Sequence, residues 1–459
     1  MKKRNALLQS TLAIFSITLL CLLFQNCHAG YINSVSNLES NLGSAAPSSP
    51  NQNLGSCVLN GQTYNPGQKV SGYLNYSVVA PALCGTVVTR TCLNSGAFDG
   101  SVPLFANCTV LSSQSNAVDA LPPGQWLEIP DSELYKVFPK PEAPGYASAV
   151  IAAWSGGAYD TKRDRMIIWG GGHSDYAGNE IYSFDLNALK WSRLTDPSLL
   201  DGSLNRFDSG YYTDGLPVAR HTYNYLQYLP DPIDRFCSFG GAGLWKDGQY
   251  GTAHVDCFNF DKNMWETQKF PDTPSLSIGS NTAYDPVTKS LWQHGGYGDI
   301  GLSKLDLTTS KWTQMWGQFS GAGNTLGYKR TSDIDPDQRQ MVSVGEGKVL
   351  TWDLNKTGMN YATELTTTGP QNVVNHDSPG FVYVDDIKAF VGWAGGLLYR
   401  FDLVSKTWIQ MPLSPYSVVL PPTDPVGWGT FGRLRYSPKK KALVLVLAHD
   451  RKVLVYKVK

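Results

Sequence analysis

The stretch GGHSDYAGN sets His173, Asp175, Tyr176 and Asn179 between two apolar runs, and similar groups recur at comparable points downstream. Arg220 and His221 close the long segment DPSLLDGSLNRFDSGYYTDGLPVARHTY. Trp245, Lys246 and Tyr250 lie in GLWKDGQYG, just ahead of His254. Tyr297 and Asp299, then Lys329 and Arg330, then Asn375 and His376 follow. Tyr and Trp rings stack on the apolar faces of sugars, while Arg, His and Asn hold hydroxyls and carboxylates. Such a mixture suits binding of a glycan or a peptide better than catalysis. Each member also has an ordinary alternative. Asp175 and Asn179 are candidates for hydrogen-bonding their own turn, His173, His221 and His254 for structural histidines, and Arg220 for pairing with a nearby carboxylate.

These residues need a scaffold that brings distant loops to one face, and a repeat supplies it. The order in IIWGGGHSDYAGNEIYSFDLNALKW (an apolar run, glycines, a polar loop, Phe-Asp, then Trp191) returns along the chain. FCSFGGAG leads to HVDCFNFDKNMW and Trp265. LWQHGGYGDIGLSKLDLTTSKW ends at Trp312, and AFVGWAGGLLYRFDLVSKTW at Trp408. MVSVGEGKVLTWDLNKTGMNY puts Tyr361 in the tryptophan position, and ALVLVLAHDRKVLVYKV stops after a third strand. The Phe-Asp-type aspartates are Asp185, Asp261, Asp306, Asp353 and Asp402. Apart from one insertion the repeat runs at roughly 45 to 50 residues, a length that fits four short strands. One such sheet cannot bury both faces, so several must stack radially, with the Trp filling the wedge between neighbours. Glycines ending the second strand leave room near a crowded axis.

Over about residues 125 to 459 this pattern resembles the kelch repeat of β-propellers. The resemblance implies an all-β, six-bladed propeller over 120–459. Trp126, in the orphan GQWLEIPDSEL, supplies the fourth strand that the last unit lacks. It also implies that loops joining strands two and three share a face with the connections between blades, so the loops of blades one and two form the expected binding site. Galactose oxidase, another kelch propeller, uses copper, two tyrosines, two histidines and a Cys–Tyr crosslink. Here Cys237 and Cys257 lie at matching distances from a hairpin loop, as a cross-strand disulfide requires. No Tyr-His dipeptide occurs either. Sialic-acid mutarotases are exported kelch propellers too, and by that likeness Glu346 and Arg330 are the candidates for an alternative sugar-directed acid–base chemistry. No nucleophile elbow, phosphate-binding glycine loop or CxxC pair appears, and neither a metal nor a cofactor is expected.

Ahead of the propeller, Lys2-Lys3-Arg4 and the apolar run from Leu7 to Phe24 read as an export signal rather than a membrane span. LLFQNC resembles a bacterial lipoprotein signal, which implies a signal peptide over 1–26 and lipidation of Cys27. The residue before the cysteine is Asn26 rather than the usual small one, and cleavage after Ala29 is the alternative. The absence of Asp after Cys27 implies the outer membrane. Residues 27–55 are Ser-, Asn- and Pro-rich and read as a flexible tether. Residues 56–110 hold Cys57, Cys84, Cys92 and Cys108 in a segment too small for a large core. Four cysteines allow three pairings. RTCLNSGAFDGSVPLFANC resembles the end of a sushi (complement-control) module, with Phe98 where that family usually has Trp. That likeness implies Cys57–Cys92 and Cys84–Cys108.

Composition agrees with an exported β protein. Only 17% of the 459 residues are charged, 12% are aromatic, and there are 45 glycines and 27 prolines. The 38 basic residues, less Lys2, Lys3 and Arg4, face 38 acidic ones, a net charge of about −3. No basic stripe is present to neutralise phosphates, so nucleic acid is excluded as a partner. The expected partners are a glycan or protein ligand and, through the anchor alone, a membrane. The chain itself is expected to be a monomer.

Overall fold

Aspartates at strand ends set the architecture. In the computed structural model, the Asp185 carboxylate accepts from the backbone N–H of Asn187 and Ala188 at 2.8 and 3.0 Å, and Asp306 does the same for Thr308 and Thr309 at 2.8 and 2.9 Å. Asp160 and Asp335 close the turn between strands one and two in the same way. These Asx turns reverse the chain at the ends of strands of three to five residues. In the second repeat the turn is closed by Asn259, which accepts from the N–H of Asp261 and Lys262, both at 3.1 Å. Asp261 therefore sits inside the turn, two residues past the position that the repeat pattern assigns to it.

The structure describes residues 55–59, 62–74, 77–79, 84–100, 104–105, 108–111, 117–199, 210–246, 251–274, 278–297, 301–315, 327–413 and 428–459. The signal segment, Cys27, the tether through residue 54, Tyr250 and Asp299 lie outside them. Six four-stranded antiparallel sheets follow one another. The first runs Ala158–Asp160, Arg165–Ile168, Tyr182–Asp185 and Lys190–Arg193. The next four begin with innermost strands Leu226–Leu229, Asn281–Asp285, Thr331–Asp335 and Gly380–Val384. The sixth takes Leu434–Ser437, Ala442–Leu445 and Leu454–Lys457 from the C-terminus and Trp126–Glu128 from the other end of the propeller. Tyr456 pairs with Trp126, Val455 with Leu127 and Leu454 with Glu128. The innermost strands neighbour one another from blade one to blade six and back to blade one, so the ring is closed. The fold is a six-bladed β-propeller.

Fourth-strand tryptophans fill the wedges. Trp191 lies in the apolar layer between blades six and one, Trp265 between one and two, Trp408 between four and five, and Trp126 between five and six. Blade four departs from this rule. Its outer strand is only Thr363–Glu364, and Tyr361 lies ahead of it, 45% exposed. Met315, Trp292 and Trp352 fill the wedge between blades three and four instead. Near the axis, Asn224 donates through Nδ2 to the carbonyl of Ser332 at 3.1 Å, and Arg435 donates to Gly157 O at 2.8 Å. With Gln227, which donates to Thr282 O at 2.7 Å, these buried groups fill the space between the innermost strands.

Cys237 and Cys257 face each other across strands two and three of blade two and are joined. In the N-terminal region Cys57–Cys92 and Cys84–Cys108 are joined as well, around a small core of Leu59, Leu104 and Phe105. Three disulfides belong to an oxidising, exported compartment. The contrast between Trp126 and Tyr361, which occupy the same place in the repeat pattern, gives a prediction. Trp126→Ala should destabilise the protein by about 3–5 kcal/mol in chemical denaturation. Tyr361→Ala should stay within about 0.5 kcal/mol of the parent.

Candidate functional site

Each innermost strand is preceded by a turn on the face that also carries the loops between strands two and three. Three of these turns hold an aromatic residue in the left-handed region: Trp154 at φ 45°, Tyr223 at φ 36° and Phe431 at φ 47°. A bulky side chain there is strained and persists only where the surroundings over-determine it. Here the turns are bonded blade to blade. The N–H of Tyr223 donates to Trp154 O at 2.7 Å, Trp428 N–H to Ala152 O at 3.0 Å, and Thr430 N–H to Ser378 O at 2.8 Å. Gly156 makes this approach possible, since a Cβ on it would come within 2.0 Å of Tyr223 O.

The result is a collar of rings around the channel mouth. Trp428 stacks on Trp154 at 4.9 Å and 4°, and Trp154 lies 4.8 Å from the His221 ring. His221 then meets Tyr223 at 6.1 Å, Tyr223 meets Tyr328 at 6.4 Å, and Tyr328 meets Tyr297 at 6.4 Å. Trp428 and Tyr297, at the two ends, are 50% and 64% exposed, whereas Tyr223 is buried beneath them. The collar draws on blades one, two, three, four and six.

His173 and Asp175 adjoin it. Asp175 Oδ2 is 3.1 Å from His221 Nε2 and 4.0 Å from His173 Nδ1, and the two imidazoles meet edge to face at 5.6 Å. Burial pushes the His221 imidazole below its ordinary value, against the opposing pull of Asp175. His173 is itself left-handed at φ 49°. Its N–H donates to Gly243 O at 2.7 Å and its carbonyl accepts from Lys246 N–H, which ties blade one to blade two. The preceding Gly172 must be glycine: at φ 84°, a Cβ would come within 2.3 Å of Gly243 O and 2.4 Å of Arg220 Cα. Two histidines and a carboxylate with their donor atoms all within 4.8 Å of one another form a set able to hold a metal ion.

The other residues singled out in the sequence are placed differently. Tyr176 is fully buried and donates to Glu180 Oε1 at 2.8 Å. Asn179 is buried and holds the chain beyond blade one, accepting from Ser198 N–H and donating to Pro217 O. Arg220 is buried against Asp256 at 3.3 Å, with its Nε donating to Val218 O. Trp245 packs in a satellite core with Ala177, Tyr212 and Val218. His254 stacks on Tyr211 at 5.1 Å and pairs with Asp272 at 2.9 Å. His376 is held by Asp377 O at 2.8 Å. Arg330 is buried and donates to the carbonyls of Ser343, Gly345 and Lys348 and to Ser343 Oγ. All three of its nitrogens serve the blade-four hairpin. The Glu346 carboxylate lies against Gly327, where a Cβ would come within 2.0 Å of it. Of the expected set, His173, Asp175, His221 and Tyr297 come together at the mouth.

Sequence reasoning missed Trp154, Tyr223, Tyr328, Trp428 and Phe431. A signal was present: each lies a few residues ahead of an innermost strand, with glycine, serine or asparagine close by, as in WSGG, YNY and WGTFG. No protein-family model matches the sequence, and no curated protein matches it.

His294 is the clearest buried titratable group outside the mouth. Its Nδ1 lies 2.6 Å from Gly295 O, its Nε2 lies 2.7 Å from Ser332 Oγ, and its ring stacks on Trp352 at 4.7 Å. Burial pushes the imidazole down from 6.5 to about 3. The folded state therefore binds fewer protons than the unfolded one below pH 6.5. Stability is complete above that value and is lost as the pH falls towards 3. Between pH 6.5 and 5, denaturation should show a loss approaching about 1.4 kcal/mol per pH unit from this group. His294→Gln should flatten that slope.

Proposed function

We propose that this protein is an exported, envelope-anchored propeller of the kelch type that binds a glycan at the mouth of its channel. The observation that carries the reading is the continuous collar from Trp428 through Trp154, His221, Tyr223 and Tyr328 to Tyr297. Aromatic faces bury the C–H surface of a sugar ring, and neighbouring polar groups select its hydroxyls. Trp428 and Tyr297 present open ring surface, while Asp175 and His173 add polar groups beside the His221 ring. Strain at Trp154, Tyr223 and Phe431 supports the reading, since such conformations collect at binding sites. In this proposal Cys27 carries the lipid, residues 27–55 form the tether, and the four-cysteine module spaces the propeller from the membrane. The propeller works as a monomer.

A glycan array probed with the exported chain tests the binding reading. One class of glycan should be retained, and Trp428→Ala should weaken it by roughly tenfold, or about 1.4 kcal/mol. Retention of no glycan, or retention undiminished in both Trp428→Ala and Tyr297→Ala, contradicts it. For the anchor, Cys27→Ser should move the protein from the membrane fraction to the soluble fraction of cells.

A further inference from the structure

We propose that His173, Asp175 and His221 form a binding site for one divalent transition-metal ion of the zinc class in the wall of the channel mouth. Three observations carry this independently of whether a glycan binds there. The first is the donor set: two imidazoles and one carboxylate, with ligand atoms within 4.8 Å of one another. Borderline ions such as Zn²⁺ favour that chemistry, and three protein ligands leave further positions open.

The second is distance. Donors around a tetrahedral ion with bonds of roughly 2.0–2.2 Å stand about 3.4 Å apart. His221 Nε2 and Asp175 Oδ2 are already at 3.1 Å. The His173 ring is 4.0 Å from the same oxygen, 44% exposed and within 4.8 Å of the His221 donor atom, so an inward swing of on the order of 1 Å completes the set. His173 and Asp175 are reached by solvent and His221 is buried, so the open coordination positions face the mouth.

The third is preorganisation. Gly172 N–H donates to Tyr176 O at 2.8 Å and Asp175 N–H to Gly172 O at 2.9 Å, which closes the loop around the two outer ligands. His221 N–H donates to Ala242 O at 2.8 Å, and Ala242 returns a bond at 3.4 Å. The left-handed turn at His173 is fixed by its bonds to blade two. Among the described residues no lysine or arginine lies within ion-pair distance of Asp175, so its charge faces only the two imidazoles. An ion there would present its open positions beside Trp154, where they could take an oxygen of a bound molecule.

The test uses the exported chain, stripped with a chelator, and no sugar. Calorimetric titration with Zn²⁺ should show one equivalent bound. Co²⁺ should give the visible absorption of a nitrogen- and oxygen-ligated ion. His173→Ala and Asp175→Asn, at half-exposed positions where a thermal melt will report an intact fold, should each lower Zn²⁺ affinity by more than tenfold. His449→Ala, at a half-buried position elsewhere, should leave it unaltered. Absence of stoichiometric binding overturns the proposal. So does binding that survives undiminished in the His173→Ala, Asp175→Asn double variant, because the ion would then sit on other groups. Sugar binding is read in a separate assay, so either result stands without the other.

Discussion

The backbone pairing of Trp126–Glu128 with Leu454–Lys457 is the interaction on which the rest of the molecule depends. Its ladder is extended on both sides: Ile129 N–H donates to Val453 O at 2.9 Å and Gly124 N–H to Lys457 O at 2.8 Å. Without it, the third strand of blade six would be an open edge, and the Trp126 wedge between blades five and six would be empty. Closure also holds blade six against blade one. Arg433 donates from blade six to Ser155 O at 2.9 Å, and Arg435 to Gly157 O. Those bonds fix Trp428 and Phe431 beside Trp154 and Tyr223. The mouth is a product of closing the ring.

This explains how strained turns survive at several points around the axis. A left-handed tryptophan or tyrosine costs on the order of 1–3 kcal/mol if nothing compensates it. Each turn here is bonded to its neighbours, and the rings pack on one another as well. The same neighbours that over-determine the backbone hold the rings in one orientation. Below the collar, buried Asn224, Gln227 and Arg435 bond the innermost strands to one another. Rings held in one orientation would bind a ligand without a large ordering cost.

Much of the fold was legible in the sequence because its causes are local and repeated. The glycines ending second strands, the Asx turns and the fourth-strand tryptophans each follow from one short stretch, and six blades and their closure follow from counting them. The pattern slipped where another residue type served the same purpose. Asn259 caps a turn as well as aspartate does, and Met315 with Trp352 replaces a fourth-strand tryptophan. The site was less legible. Polar residues in the loops of blades one and two drew attention, yet Arg220, Asn179 and Tyr176 turn inward because each has a buried partner that no spacing reveals. The collar comes from residues on five blades whose meeting depends on backbone angles that their side chains disfavour. Propensity points away from such conformations, so a reading of one sequence passes over them.

Native-state hydrogen exchange on the propeller is the most direct test of the account. If closure governs the structure, the amides that bond across the seam, those of Leu127, Ile129 and Val455, will exchange only through global unfolding, with the same free energy as those of the innermost strands. Exchange of the Leu127 and Ile129 amides through a local opening, well below the global value and with the innermost strands still protected, would show that the ring stands without its N-terminal strand and would remove the basis for the collar.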